Sequence, residues 1–209
     1  MPRLPSDPAS SRADLLALSA AMAREGRTLI ERVLPAPPEV FTQWQHYPPG
    51  DATDPDSQAC WYYHAHPPEQ RGEREHGHFH LFLPLAAFAG EEVLASPAGQ
   101  GAAQTVHVAA LCFDVDGLPT GWIATSRWVT EDWLYPAPAM IARLDRLDLS
   151  RAGEAQGLAE VSRWLTLAAI ACHQDLAAML HRRDAMLAQV DPDDRATEVL
   201  ASAPFAPIR

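Results

Sequence analysis

Between Trp61 and Pro84 the chain alternates histidine with apolar or aromatic residues in two runs. The first is Trp61-Tyr62-Tyr63-His64-Ala65-His66, and the second is His76-Gly77-His78-Phe79-His80-Leu81. Five of the nine histidines fall in this stretch. Alternation with period two is the spacing of a β-strand, whose successive side chains point to opposite faces. The stretch therefore reads as two strands, 59–66 and 76–83, joined by a polar connector over 67–75.

Strand parity turns that reading into geometry. His64 and His66 share a face with Tyr62, and His76, His78 and His80 share a face of their own strand. If the strands pair antiparallel with His66 opposite His76, then His64 lies opposite His78 and Tyr62 opposite His80. All five imidazoles then occupy one face, while Trp61, Tyr63, Phe79 and Leu81 face the core.

Clustered imidazoles are ligands for Zn, Fe, Cu or Ni. A His-x-His strand places two of them at about 6.5–7 Å between Cα atoms, close enough to converge on one ion. The expected metal ligands are His64, His66, His76, His78 and His80, holding a transition-metal ion in a mononuclear or dinuclear centre. Glu75 is a further ligand or a general base, and Glu75 and His78 are the candidate catalytic residues. His107 joins if the third strand neighbours the hairpin; the place of His46 is left open. Such a centre allows activation of water or dioxygen. A non-catalytic protein binding a metal or a small molecule through the same face remains the alternative, as does a purely structural histidine patch.

Two resemblances touch this stretch. His76-Gly77-His78-Phe79-His80-Leu81-Phe82 resembles the signature of the histidine-triad nucleotide hydrolases and transferases. That resemblance implies His78 as nucleophile on an α-phosphate, supported by His76 and His80. It spans seven residues, and Gly77 stands where that family prefers a bulky apolar residue. Over Trp44–Pro49, Tyr62–Pro68, Glu75–Phe82 and Arg127–Thr130 the chain is also similar to an uncharacterised bacterial domain family. This second resemblance covers most of the chain and implies a single-domain unit without an assigned reaction.

The rest of the chain supplies the frame. Leu15, Leu18, Met22, Leu29, Ile30 and Val33 recur at helical spacing after a capping-box pattern at Ser11, weaken at Gly26 and stop at Pro35, Pro37 and Pro38. Residues 39–58 read as irregular, with Trp44 as a lid over part of the core. A short helix is expected over 85–90 and a mobile loop over 95–104. Residues 105–114 and 119–129 form a hairpin across Asp116-Gly117. Another short helix is expected over 139–147. Residues 154–189 are helical with a break near Cys172–Gln174, followed by a weak helix at 193–201. Arg127 is expected to pair with Asp132 or Glu131, Asp114 and Asp116 to serve the turn, and Arg182-Arg183-Asp184 to be a solvated helical turn. The fold class is α+β. It has an antiparallel sheet of about four or more strands, with an N-terminal helix and C-terminal helices packed on one face. Residues 11–190 form the domain, between a disordered segment 1–10 and a tail 191–209.

Composition narrows the partners. The formal net charge is −11 and the pI about 5.1, without a basic run, so neither nucleic acid nor an anionic membrane surface is a suitable partner. A small-molecule substrate or ligand is expected; the oligomeric state is not legible. Cys60, Cys112 and Cys172 are scattered without a C-x-x-C, which fits a reducing compartment. Met1–Ser11 lacks the apolar stretch of a signal peptide. A cytoplasmic location is expected.

Overall fold

The computed structural model describes residues 7–36, 39–97, 103–191 and 194–206. Of the segment 1–10 expected to be disordered, residues 1–6 lie outside the described residues, as do 37–38, 98–102, 192–193 and 207–209, whereas Asp7 caps a helix that takes in residues 8–10.

The fold is α+β. Six strands, β1 (Tyr47–Thr53), β2 (Cys60–His64), β3 (Glu75–Pro84), β4 (Thr105–Asp114), β5 (Pro119–Thr125) and β6 (Val199–Pro204), form one antiparallel sheet whose spatial order equals their sequence order. Among the described residues six α-helices accompany them: α1 (Pro8–Arg24), α2 (Leu29–Val33), α3 (Arg127–Thr130), α4 (Ala137–Ile141), α5 (Ala159–Ala171) and α6 (His173–Leu187). The main core lies between the sheet and the helices. Trp61, Tyr63, Phe79, Leu81, Leu83, Leu111 and Trp122 meet Leu165, Ala168, Leu176, Met179 and Leu180 there. A buried bond from Trp61 Nε1 to Ser162 Oγ, 2.7 Å, pins β2 to α5. No helix among the described residues is long and apolar enough to cross a membrane.

Several elements depart from the sequence reading for local reasons. The N-terminal helix is two helices. Gly26 takes φ +68°, and Thr28 with Glu31 builds a capping box that starts α2 afresh. The first helix begins at Pro8, because Asp7 rather than Ser11 accepts the leading N–H groups. Residues expected to be irregular form β1. It lies at the sheet edge, where proline costs no ladder bond, and the register breaks between Tyr47 and Ala52. The strand expected over 119–129 stops at Thr125 as β5, and Ser126 leads into α3. The weak helix expected over 193–201 gives way to β6, which pairs with the free edge of β5. The expected helical break occurs at Cys172, between α5 and α6. Arg183, read as solvated, is 2% exposed; it donates to the Tyr135 carbonyl and pairs with Asp184.

The sheet curls towards its histidine face. His66, just past β2, has its Nδ1 3.9 Å from Oε1 of Glu198, just before β6. Four strand spacings in a flat sheet would separate these strands by about 19 Å.

Candidate metal centre

The expected register is present for two pairs: His64 faces His78 and Tyr62 faces His80 across β2 and β3. The third expected pair is not. Between β3 and β4 the ladder runs from Glu75 opposite Asp114 directly to Gly77 opposite Phe113, a bulge that takes His76 out of the alternation. His76 turns to the core side. Its Nδ1 lies 2.5 Å from the Tyr63 hydroxyl and its ring packs against Phe41. Glu75 takes the place in the cluster that parity had assigned to His76. Gly77 makes this possible, since a Cβ there would lie 2.3 Å from the His64 carbonyl oxygen.

A second bulge, between Leu81 and Phe82 of β3, adds a histidine. The partner of Leu81 is Ala109 and that of Phe82 is His107, so Val108 is the extra residue and His107 swings onto the histidine face. The five imidazoles that meet are thus His64, His66, His78, His80 and His107. They are buried, with exposures of 7%, 7%, 3%, 0% and 6%.

Their ring nitrogens form two bonded groups, His64 with His66 and His78, and His80 with His107. His64 Nε2 lies 2.9 Å from His78 Nε2 and 3.2 Å from His66 Nε2. His80 Nδ1 lies 2.9 Å from His107 Nε2, and His107 Nδ1 lies 3.3 Å from Thr125 Oγ1. His78 Nδ1 lies 3.3 Å from Glu75 Oε1. His80 Nε2 is enclosed and has no hydrogen-bonding partner among the described residues. A buried polar atom without a partner costs about 1–3 kcal/mol. Two nitrogens bound to one tetrahedral ion at about 2.0–2.1 Å stand roughly 3.3 Å apart, close to the separations found here.

Two groups of residues could hold a metal ion. In each, one ligand atom from every member lies within 4.8 Å of the others: His64, His78 and His80 in one, Glu75, His78 and Cys112 in the other. Burial keeps His64, His66, His80 and His107 in the neutral, metal-binding form. It lowers His64 to about 2, aided by His78, His66 and His46, His66 to about 4 and His107 to about 3, and it holds His80 well below the usual range. Glu75 is lowered, chiefly by its hydrogen bond to His78, and is a carboxylate. Burial pushes the Cys112 thiol up to about 12.

Aromatic rings close the rim. Trp44, 53% exposed, stacks on His66 at 4.3 Å and so covers the histidines rather than the core. His46 stacks on Tyr62 at 3.6 Å and bonds Asp51 through Nδ1, 2.8 Å. A cleft of about 480 Å³ reaches the cluster past His66, Glu75, His78 and Cys112.

Other residues singled out in the sequence lie elsewhere. Asp114 accepts from the backbone of Asp116 and Leu118 and serves the β4–β5 turn. Arg127 is buried at 6% in α3. In the sequence Cys112 is only one of three scattered cysteines, and Thr125 carries no assigned role. Only the register, which sets Cys112 opposite His78, brings Cys112 into play.

Fold and site together define an α+β protein whose curled antiparallel meander encloses a cluster of buried imidazoles able to hold a metal ion. The chain belongs to the family of the domain of unknown function DUF6969, which matches residues 9–205. Neither a curated protein nor a solved structure matched the chain. The histidine-triad resemblance gains no support, because His76 and His78 point to opposite sides of the sheet.

Proposed function

We propose that this chain is a metal-binding protein whose ion is held by the Nε2 atoms of His64, His78 and His80, with His66 at the edge of the same site. One observation carries the reading: three buried imidazoles converge, and the most buried of them, His80, has an Nε2 that no group among the described residues satisfies. The surrounding bonds support it. Glu75 engages His78 Nδ1 and His107 engages His80 Nδ1, leaving both Nε2 atoms to point inward. Such outer partners fix tautomer and ring orientation in metal centres. His76 has no part in this ligand set.

Three imidazoles on one ion leave positions for water or dioxygen, and the adjoining cleft suits a small molecule. With Glu75 beside His78, the site carries a carboxylate suited to moving a proton near the ion. The three cysteines are free thiols, which supports a cytoplasmic location.

Elemental analysis of protein purified without an affinity tag tests the reading. We expect about one or more equivalents of Zn, Fe, Cu or Ni, and tight re-uptake after chelation. His80→Ala is expected to abolish that uptake at the His64–His78–His80 site. Metal well below one equivalent, with no uptake by the chelated protein, would overturn it.

A further inference from the structure

The donors around His78 exceed what one ion can use. Imidazole nitrogens point to opposite sides of the ring. His78 directs Nε2 at His64, 2.9 Å away, and Nδ1 at Glu75, 3.3 Å away. An ion shared with His64 and His80 therefore lies on one side of this ring. Glu75 lies on the other, within 4.8 Å of a Cys112 donor that the His78–Cys112 register brings alongside.

We propose a second metal site, formed by Glu75, His78 Nδ1 and Cys112 Sγ, with the His78 ring bridging the two ions. It rests on the first site, whose ion takes up Nε2 of the shared ring. The two sites differ in chemistry. The first offers neutral nitrogens alone. The second offers a thiolate, a carboxylate and a ring nitrogen, a set that suits Zn and other thiolate-binding ions. Glu75 and Cys112 also line both the 480 Å³ cleft and a neighbouring one of about 500 Å³, so the second ion faces solvent and keeps a position for a small ligand. Loading it releases two protons to solvent, one from the Cys112 thiol and one from His78 Nδ1. The carboxylate then exchanges its hydrogen bond to the ring for a bond to the ion. No electron is transferred.

Titration of the chelated, untagged full-length protein with Co²⁺, followed by absorption and elemental analysis, tests this. We expect two equivalents, one of them producing thiolate-to-cobalt charge-transfer absorption in the near ultraviolet. Cys112→Ala is expected to bind one equivalent and lose that absorption while keeping the ligand-field bands of the first ion. His80→Ala is expected to keep the charge-transfer absorption. Uptake of one equivalent without charge-transfer absorption, unchanged in Cys112→Ala, overturns the second site and leaves the first standing. One equivalent whose charge-transfer absorption vanishes in His80→Ala means a single shared ion and also overturns it. No uptake at all overturns both sites.

Discussion

A methyl group added at Gly77 would meet the His64 carbonyl oxygen at 2.3 Å and the Tyr63 hydroxyl at 2.6 Å. The carbonyl is held in the β2 backbone, and the hydroxyl belongs to a fully buried side chain. Gly77→Ala is expected to destabilise the protein by about 1–3 kcal/mol, read by urea unfolding. It should also weaken metal uptake, because His64 must shift; an unchanged midpoint would contradict the bulge described here. The histidines make a separate prediction. His64, His66 and His107 have ordinary values near 6.5 unfolded, lowered to about 2, 4 and 3 by burial in the folded chain. The unfolded chain therefore binds more protons between those values and 6.5. The stability that these groups contribute is present above pH 6.5 and is lost as pH falls below it, by about 1.4 kcal/mol per pH unit for each histidine. Thermal unfolding of chelated protein is expected to show a flat Tm above pH 6.5 and a steep fall towards pH 4. A Tm constant across that range would show that the imidazoles are not buried neutral.

At the scale of elements, alternation alone made the β2–β3 hairpin, its register at two pairs and its core face legible, because a period of two survives any detail of packing. What alternation cannot show is where it is interrupted. One bulge removes His76 and another adds His107, and each arises from the β3–β4 ladder, a pairing between distant residues. Cys112 entered the site for the same reason: its significance lies in what faces it. The helix break at Cys172 was legible from the drift of the apolar stripe, whereas Gly26 was read only as a weak point, because the Thr28–Glu31 capping box that restarts the helix was not recognised. The edge strand β6 was not, since its pairing is decided by the vacant side of β5. Arg183 illustrates a charge misread from sequence. Its charged neighbours suggested solvent, yet it ties α6 to the loop before α4 through the Tyr135 carbonyl. Arg183→Ala is expected to cost about 2–3 kcal/mol, because it strips a charged hydrogen bond from a buried carbonyl. Urea denaturation checks this, and a loss under about 0.5 kcal/mol, the size of an ordinary surface substitution, would contradict it.

For the whole molecule, an ion that binds only the folded chain adds stability by mass action, about 2.7 kcal/mol at a free concentration one hundred times Kd. Chelation is expected to lower Tm, and readdition of the proper ion to restore it; His80→Ala, which keeps only the Glu75–His78–Cys112 ion, should show a smaller response. The meander topology has a further consequence in time. Every proposed donor lies between residues 64 and 112, on strands that pair with their immediate successors. Helices α5 and α6, which cover the opposite face, come only after residue 158. A nascent chain thus exposes the complete donor set well before the covering helices leave the ribosome. Capture of an ion at that stage would hold β2, β3 and β4 together while their apolar side is still bare. Refolding from urea with the ion present is expected to be faster than with chelator, and equal rates in stopped-flow fluorescence would place capture after the helices have docked.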